Sequence, residues 1–196
     1  MSQVNVINVI AHNAKAPFLT PLSFEIFFEA LQPLRHTLTW RIIYIGQASD
    51  SGMDQILEEA EMEEIQPGQM KFVFEGQHPD TSKIQESEIV GVTGVLVTCS
   101  YNQQEFFRVG YYVNNYYENP ELAENPPERP LLDQLTRHIL VEKPRVTKFQ
   151  IQWEPTQEPV VEEGTLLPGS QYKDRHDMMS SGNLQAAAAF FGGAPQ

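Results

Sequence analysis

Five histidines, one cysteine and a dense run of carboxylates are the groups of this 196-residue chain best suited to chemistry. Metal binding and general acid–base catalysis both require such groups to converge. His12, His36, His78, His138 and His176 fall in five separate segments, with no spacing that brings two imidazoles to one ion. Cys99 lies in "VLVTCSY" on the parity of Val95 and Val97, where a thiol is an apolar core residue rather than a nucleophile. The glycines are isolated and form no phosphate loop. Asp54, Glu58, Glu59, Glu61, Glu63 and Glu64 crowd one stretch, which reads either as a solvated face or as a docking surface for a basic partner. No catalytic set emerges. The expectation is a binding protein without metal or cofactor, not an enzyme.

Composition narrows the partners. The formal charge is −13, so phosphate backbones and anionic membrane surfaces are repelled and basic proteins are favoured. A single cysteine excludes an intrachain disulfide, and no Asn-X-Ser/Thr acceptor occurs. The start, "MSQVNVINVIAHNAK", has neither the basic opening nor the apolar run of a signal peptide, and no segment approaches a membrane span. A reduced, intracellular setting is expected.

The elements that would position these groups are mostly strands. "VNVINVI", "LSFEIFFEAL", "LTWRIIYIG", "MKFVFEG", "IVGVTGVLVTCSY", "QEFFRVGYYV" and "RVTKFQIQW" are apolar or alternating runs separated by turn residues. Seven or more short strands predict an antiparallel β-sandwich with sparse helix over residues 1–154. "NPELAE" suits one or two helical turns, and "RPLLDQLTRHIL" a short helix opened by Pro130 and ended before Pro144. "MDQILEEAEMEE" (Met53–Glu64) is ambiguous: its residues favour helix, whereas the Pro-Gly turn and "KFVF" beyond suggest the first arm of a hairpin. From residue 155 the periodicity stops, and 155–196 reads as a disordered tail in which "LQAAAAFF" suits a brief helix.

Several strands carry more apolar surface than one core consumes. Val95, Val97, Cys99 and Tyr101 share one face, and Val92, Gly94 and Leu96 the other. Trp40, Ile42 and Tyr44 oppose Ile43 and Ile45. In "EFFRVGYYVNN", Phe107, Val109, Tyr111 and Val113 oppose Phe106, Arg108, Gly110 and Tyr112. With so few helices to cover it, an outer apolar face rimmed by Asp54, Glu88 and Arg108 marks an interaction site. "RVTKFQIQW" is a half-buried last strand. If it lies at an edge, its free backbone groups accept a strand from another chain.

These motifs carry a resemblance. "PFLTPLSFEIFFEAL", "LTWRIIYIGQAS", "GVTGVLVTCSY", "VGYYVNN", "ENPP" and "HILVEKPRVTKFQIQW", in order from Met1 to Trp153, closely resemble the anti-silencing-function histone chaperones. The resemblance implies an elongated immunoglobulin-like sandwich, no enzymatic activity, and binding of one histone H3–H4 heterodimer for nucleosome assembly and disassembly in the nucleus. It also implies that the stretch around Asp54 to Met62 is a strand. Carried over by position, the H3 contacts are Ile45, Asp54, Glu88, Val92, Gly94, Leu96, Arg108, Tyr111, Tyr112, Arg145 and Thr147. In this reading Asp54 orients Arg108, and a bulge near Gly110 brings both tyrosines to the partner. The H4 tail is expected to pair with the last strand at Pro144, Arg145 and Val146.

At the opposite end, Arg41, Met62 and Phe72 match a second peptide site, for histone-deposition factors. Two departures stand out. Gly94 replaces a customary aliphatic residue, removing about 1–2 kcal/mol of apolar contact unless a partner fills the gap. His36 and Thr37 replace a customary acidic pair, and Glu61 a common apolar residue, so the second site is expected to depart from the usual partner preference. The rival readings are a sandwich adaptor that binds other peptides by strand addition, and an enzyme whose constellation is not evident.

Overall fold

Alternation of buried and exposed side chains organises the chain into two antiparallel sheets. The structure, a computed structural model, describes residues 2–153. The smaller sheet has the order β1–β3–β6, from Val4–His12, Leu22–Ala30 and Gly68–Gly76. The larger has the order β2–β9–β8–β7–β4–β5. Its strands are Lys15–Pro17, Leu135–Lys148, Gln104–Tyr117, Gly91–Tyr101, Leu38–Tyr44 and Gln55–Met62. Among the described residues helix is confined to single turns, including α1 (Glu86–Ile89) and α2 (Pro120–Glu124), the latter falling in "NPELAE". The antiparallel sandwich expected from the strand runs, and implied as immunoglobulin-like by the resemblance, is what forms. The expected tail, 155–196, lies outside the described residues.

The two sheets bury one face each against the other. Leu22, Phe24, Ile26 and Phe28 of β3 meet Trp40 and Ile42 of β4 and Val95, Val97 and Cys99 of β7. Each side chain of this size stabilises the fold by about 1.5–3 kcal/mol on burial. A second cluster, Phe18, Tyr44, Ile84, Ile89, Tyr117 and Leu135, closes one end. There the Asn115 amide donates to Tyr44 Oη at 2.9 Å and to the Ile89 carbonyl at 3.0 Å, tying α1 to β8. Arg137 is fully buried beside them, with Nη1 donating to the Thr20 carbonyl at 2.5 Å and Nη2 to that of Pro21 at 3.5 Å.

One ambiguity is resolved and two local expectations are corrected. At Met53–Glu64, where the residues favoured helix but the resemblance implied a strand, the strand forms: Gln55–Met62 is β5, paired with β4 from Leu38↔Met62 to Tyr44↔Gln55, and only Ser51–Met53 turns, as a 3-10 turn. "RPLLDQLTRHIL" is not a helix. One 3-10 turn, Leu132–Gln134, leads into β9, whose Leu135, Arg137 and Ile139 are buried at every second position. Cross-strand pairing with β8 supplies the hydrogen bonds that local propensity would have placed in a helix. Finally, Phe106 does not face outward. Cys99 pairs with Phe107 and Ser100 with Glu105, so Phe106 is the extra residue of a bulge and turns inward, with its ring 4.8 Å from that of Trp153.

Two buried tyrosines make stability sensitive to alkali. Burial raises Tyr44 and Tyr111 from an ordinary 10.0 to about 12. An unfolded tyrosine ionises first, so above pH 10 the unfolded state binds fewer protons and stability falls with pH. The contribution is complete below about pH 10 and is lost through about pH 12. Denaturant titrations across this window are expected to show that decline, and a Tyr44→Phe chain, with no proton to lose there, a shallower one.

Candidate functional site

The outer face of the larger sheet is assembled in rows by strand register. One row runs Glu59–Arg41–Thr98–Arg108–Thr147 and the next Ile56–Ile43–Leu96–Gly110–Arg145. A third contains Gly94, Tyr112 and Leu140, extended to Ile45 by a 2.9 Å bond from its N–H to the Gly94 carbonyl. Register thus collects Ile45, Gly94, Leu96, Arg108, Tyr112, Arg145 and Thr147 on one surface, with Val92 at the start of β7. Asp54 and Glu88 lie in the segments leading into β5 and β7, at the same end of the sheet as Ile45.

The surface is apolar and partly open. Val92 is 49% and Ile56 57% exposed, while Leu96 and Tyr112 are half-buried. Arg108 is only 8% exposed, with Nε donating to Glu105 Oε1 at 2.6 Å and its guanidinium 5.6 Å from the Phe149 ring centre. Glu105 is thus a partner of Arg108 that the sequence reading did not name. Glu105 and Phe149 lock the guanidinium into the floor of the face.

Tyr111 is not on this surface. Strand alternation sends it to the inner side, where its ring stacks on Phe24 at 5.9 Å and its hydroxyl donates to the Val9 carbonyl at 3.2 Å. The expected outward pair of tyrosines therefore reduces to Tyr112. The pairing of β7 with β8 runs unbroken from Gly94↔Tyr112 to Leu96↔Gly110. The irregularity lies across from Tyr111 on β9: Gly110 pairs with Arg145 and Tyr112 with Leu140. Sequence reading set Ile43 beside Ile45 but missed Ile56, Glu105 and Phe149 as members of the face. Ile56 escaped because only the register of β5 on β4 places it beside Ile43, and the helix-forming residues of its segment obscured that strand.

β9 also provides an edge. β2 pairs only with Thr136–His138, which leaves β8 as the single partner strand of Arg145–Lys148 among the described residues. Val146, 55% exposed, sits on the opposite side of the strand from Arg145 and Thr147, and Pro144 is exposed.

The residues expected at the opposite end do not share one face. Arg41 is on the outer side, paired with Glu59. Met62 and Phe72 are on the inner side, where Phe72 contacts the Trp40 ring at 5.6 Å. The substitutions noted there do converge. His36, Thr37, Glu61, Glu63 and Glu64 line one open cleft of about 400 Å³, in which Thr37 Oγ1 lies 3.5 Å from Glu63 Oε1.

Residues 1–154 match the family described as ASF1 like histone chaperone. The chain belongs to the ASF1 histone chaperone family. It is 49% identical over 171 residues to the probable histone chaperone ASF1A of Arabidopsis thaliana, covering 87% of this chain and 86% of that one. It is 49% identical over 154 residues to histone chaperone ASF1B of Homo sapiens, covering 79% and 76%. It is also 47% identical over 154 residues to histone chaperone asf1 of Drosophila melanogaster, covering 79% and 71%. As an ASF1-family protein it is a histone chaperone and not an enzyme, which accords with the lack of a catalytic set in its sequence.

Proposed function

We propose that this ASF1-family chain binds one H3–H4 heterodimer through the outer face of its larger sheet. The carboxy-terminal helix of H3 lies on Val92, Leu96, Ile45 and Tyr112, with Asp54 and Glu88 meeting basic histone side chains. Occupying that helix blocks the surface through which two H3–H4 dimers join, so the chaperone holds the dimer apart from the tetramer and releases it during nucleosome assembly and disassembly. The H4 tail adds as a strand to β9 at Pro144, Arg145 and Val146. The observation that carries this reading is the half-open apolar face of a sheet that, among the described residues, no helix layer covers, with Val92 at 49% and Ile56 at 57% exposure. The net charge of −13 favours encounter with so basic a partner. Nuclear residence, beside a cytoplasmic pool, follows from that partner.

Size-exclusion chromatography of the full chain with recombinant H3–H4 at moderate salt tests it. A 1:1:1 complex is expected; elution of an intact tetramer apart from the chain overturns it.

A second contact is proposed at the other end, with deposition factors. The carboxylates of Glu61, Glu63 and Glu64 beside His36 and Thr37 keep that cleft acidic although residues 36 and 37 are not, which suits a basic peptide.

A further inference from the structure

Gly94 stands in mid-face, between Ile45 and Tyr112. A glycine in a strand ordinarily leaves a dent, because nothing rises from its Cα. Here the dent is filled from the side. A Cβ placed at position 94 would lie 3.0 Å from Ile45 Cδ1 and 3.8 Å from its Cγ1, with the Tyr111 carbonyl oxygen at 3.5 Å. The Ile45 side chain therefore lies along the sheet, over Gly94, and is itself only 7% exposed. The next row repeats the arrangement: a Cβ at Gly110 would lie 3.0 Å from Leu96 Cδ2. Each glycine of this face is roofed by an aliphatic side chain from the neighbouring segment.

We infer that Ile45 and Gly94 act as one specificity-determining unit, in which the δ-methyl of Ile45 supplies, from the residue that follows β4, the apolar contact that a side chain at position 94 would supply from β7. This rests on the proposed histone-binding face and goes beyond it. It replaces the expectation that Gly94 costs the chaperone a contact. The two positions share one small volume: a Cβ at position 94 and the δ-methyl of Ile45 cannot both keep their places, because at 3.0 Å one of them must give by a few tenths of an ångström. The contour offered to a partner helix thus depends on the pair, and either residue changed alone spoils it.

A double-mutant cycle reads this directly. Affinity of the full chain for H3–H4 is measured for the wild type, Gly94→Ala, Ile45→Val and the double variant, with thermal unfolding of each free chain alongside. Gly94→Ala alone pushes the Ile45 methyl up from the floor, and Ile45→Val alone opens the dent. Each is expected to weaken binding by about fivefold, and the double variant to return to within about twofold of the wild type. If the two effects multiply, to about 25-fold in the double variant, the coupling is overturned while histone binding by the face stands. If the folded wild type fails to bind H3–H4 at all, the proposed face falls and the inference with it. Leu96→Val is the control: its roof lies over Gly110, so its effect is expected to multiply with that of Gly94→Ala, and rescue of Leu96→Val by Gly94→Ala would also overturn the pairing.

Discussion

Val92→Arg is expected to weaken H3–H4 binding by about 30- to 5000-fold while leaving the fold intact. Val92 is 49% exposed at the start of β7, so an arginine there is hydrated in the free chain and stability shifts little. In the complex the same guanidinium would be pressed against an apolar helix face. An unpaired charge buried at an interface costs about 2–5 kcal/mol, the origin of the stated range. Tyr112→Ala removes a half-buried aromatic from the same surface and is expected to cost about 2 kcal/mol or more, the scale of an aromatic hot spot. Calorimetric titration with H3–H4 measures both, and circular dichroism melts separate binding from folding. An adaptor that bound its partners elsewhere by strand addition would be indifferent to both changes; undiminished affinity would therefore remove the face from consideration.

Arg137→Ala is expected to destabilise the fold by about 3–4 kcal/mol. Its guanidinium is completely buried and holds the turn after β2 through the carbonyls of Thr20 and Pro21. Truncation strands those carbonyls and opens a cavity beside Tyr44, and each unmet buried acceptor costs about 1–3 kcal/mol. For a domain of this size the melting temperature should fall by roughly 10 °C. Arg137→Met, which restores volume but not donors, should recover only the cavity part. If both variants melt like the wild type, the turn is held by something other than this side chain. The guanidinium is buried at a cost, since burial lowers its pKa from the ordinary value. Its worth lies in fixing where β2 meets β9, not in net attraction.

The sheet faces were legible because alternation is a local property. The division of Val95, Val97, Cys99 and Tyr101 from Val92, Gly94 and Leu96 stands in the sequence and in the structure alike. What was not legible depended on partners distant in sequence. β5 is rich in helix-forming residues and becomes a strand because β4 offers it a ladder. The segment from Leu135 to Leu140 does the same against β8. Phe106 looks outward by counting, and only a bulge, invisible in one strand alone, turns it in. Tyr111 shows the opposite error. Alternation already placed it inside with Val109 and Val113, and that local reading outperformed the position carried over from the family. Gly94 looked like a loss because a sequence does not reveal which neighbour leans into a vacated space.

Cys99 gives the domain a built-in reporter. It is the only thiol in the chain, lies at 0% exposure between the sheets, and burial holds its pKa well above the ordinary value. A thiol reagent can reach it only when the layers part, so the labelling rate in native buffer measures how often the sandwich opens. Histones sequestering the open face should slow that clock by mass action, without any probe being attached to the surface they touch.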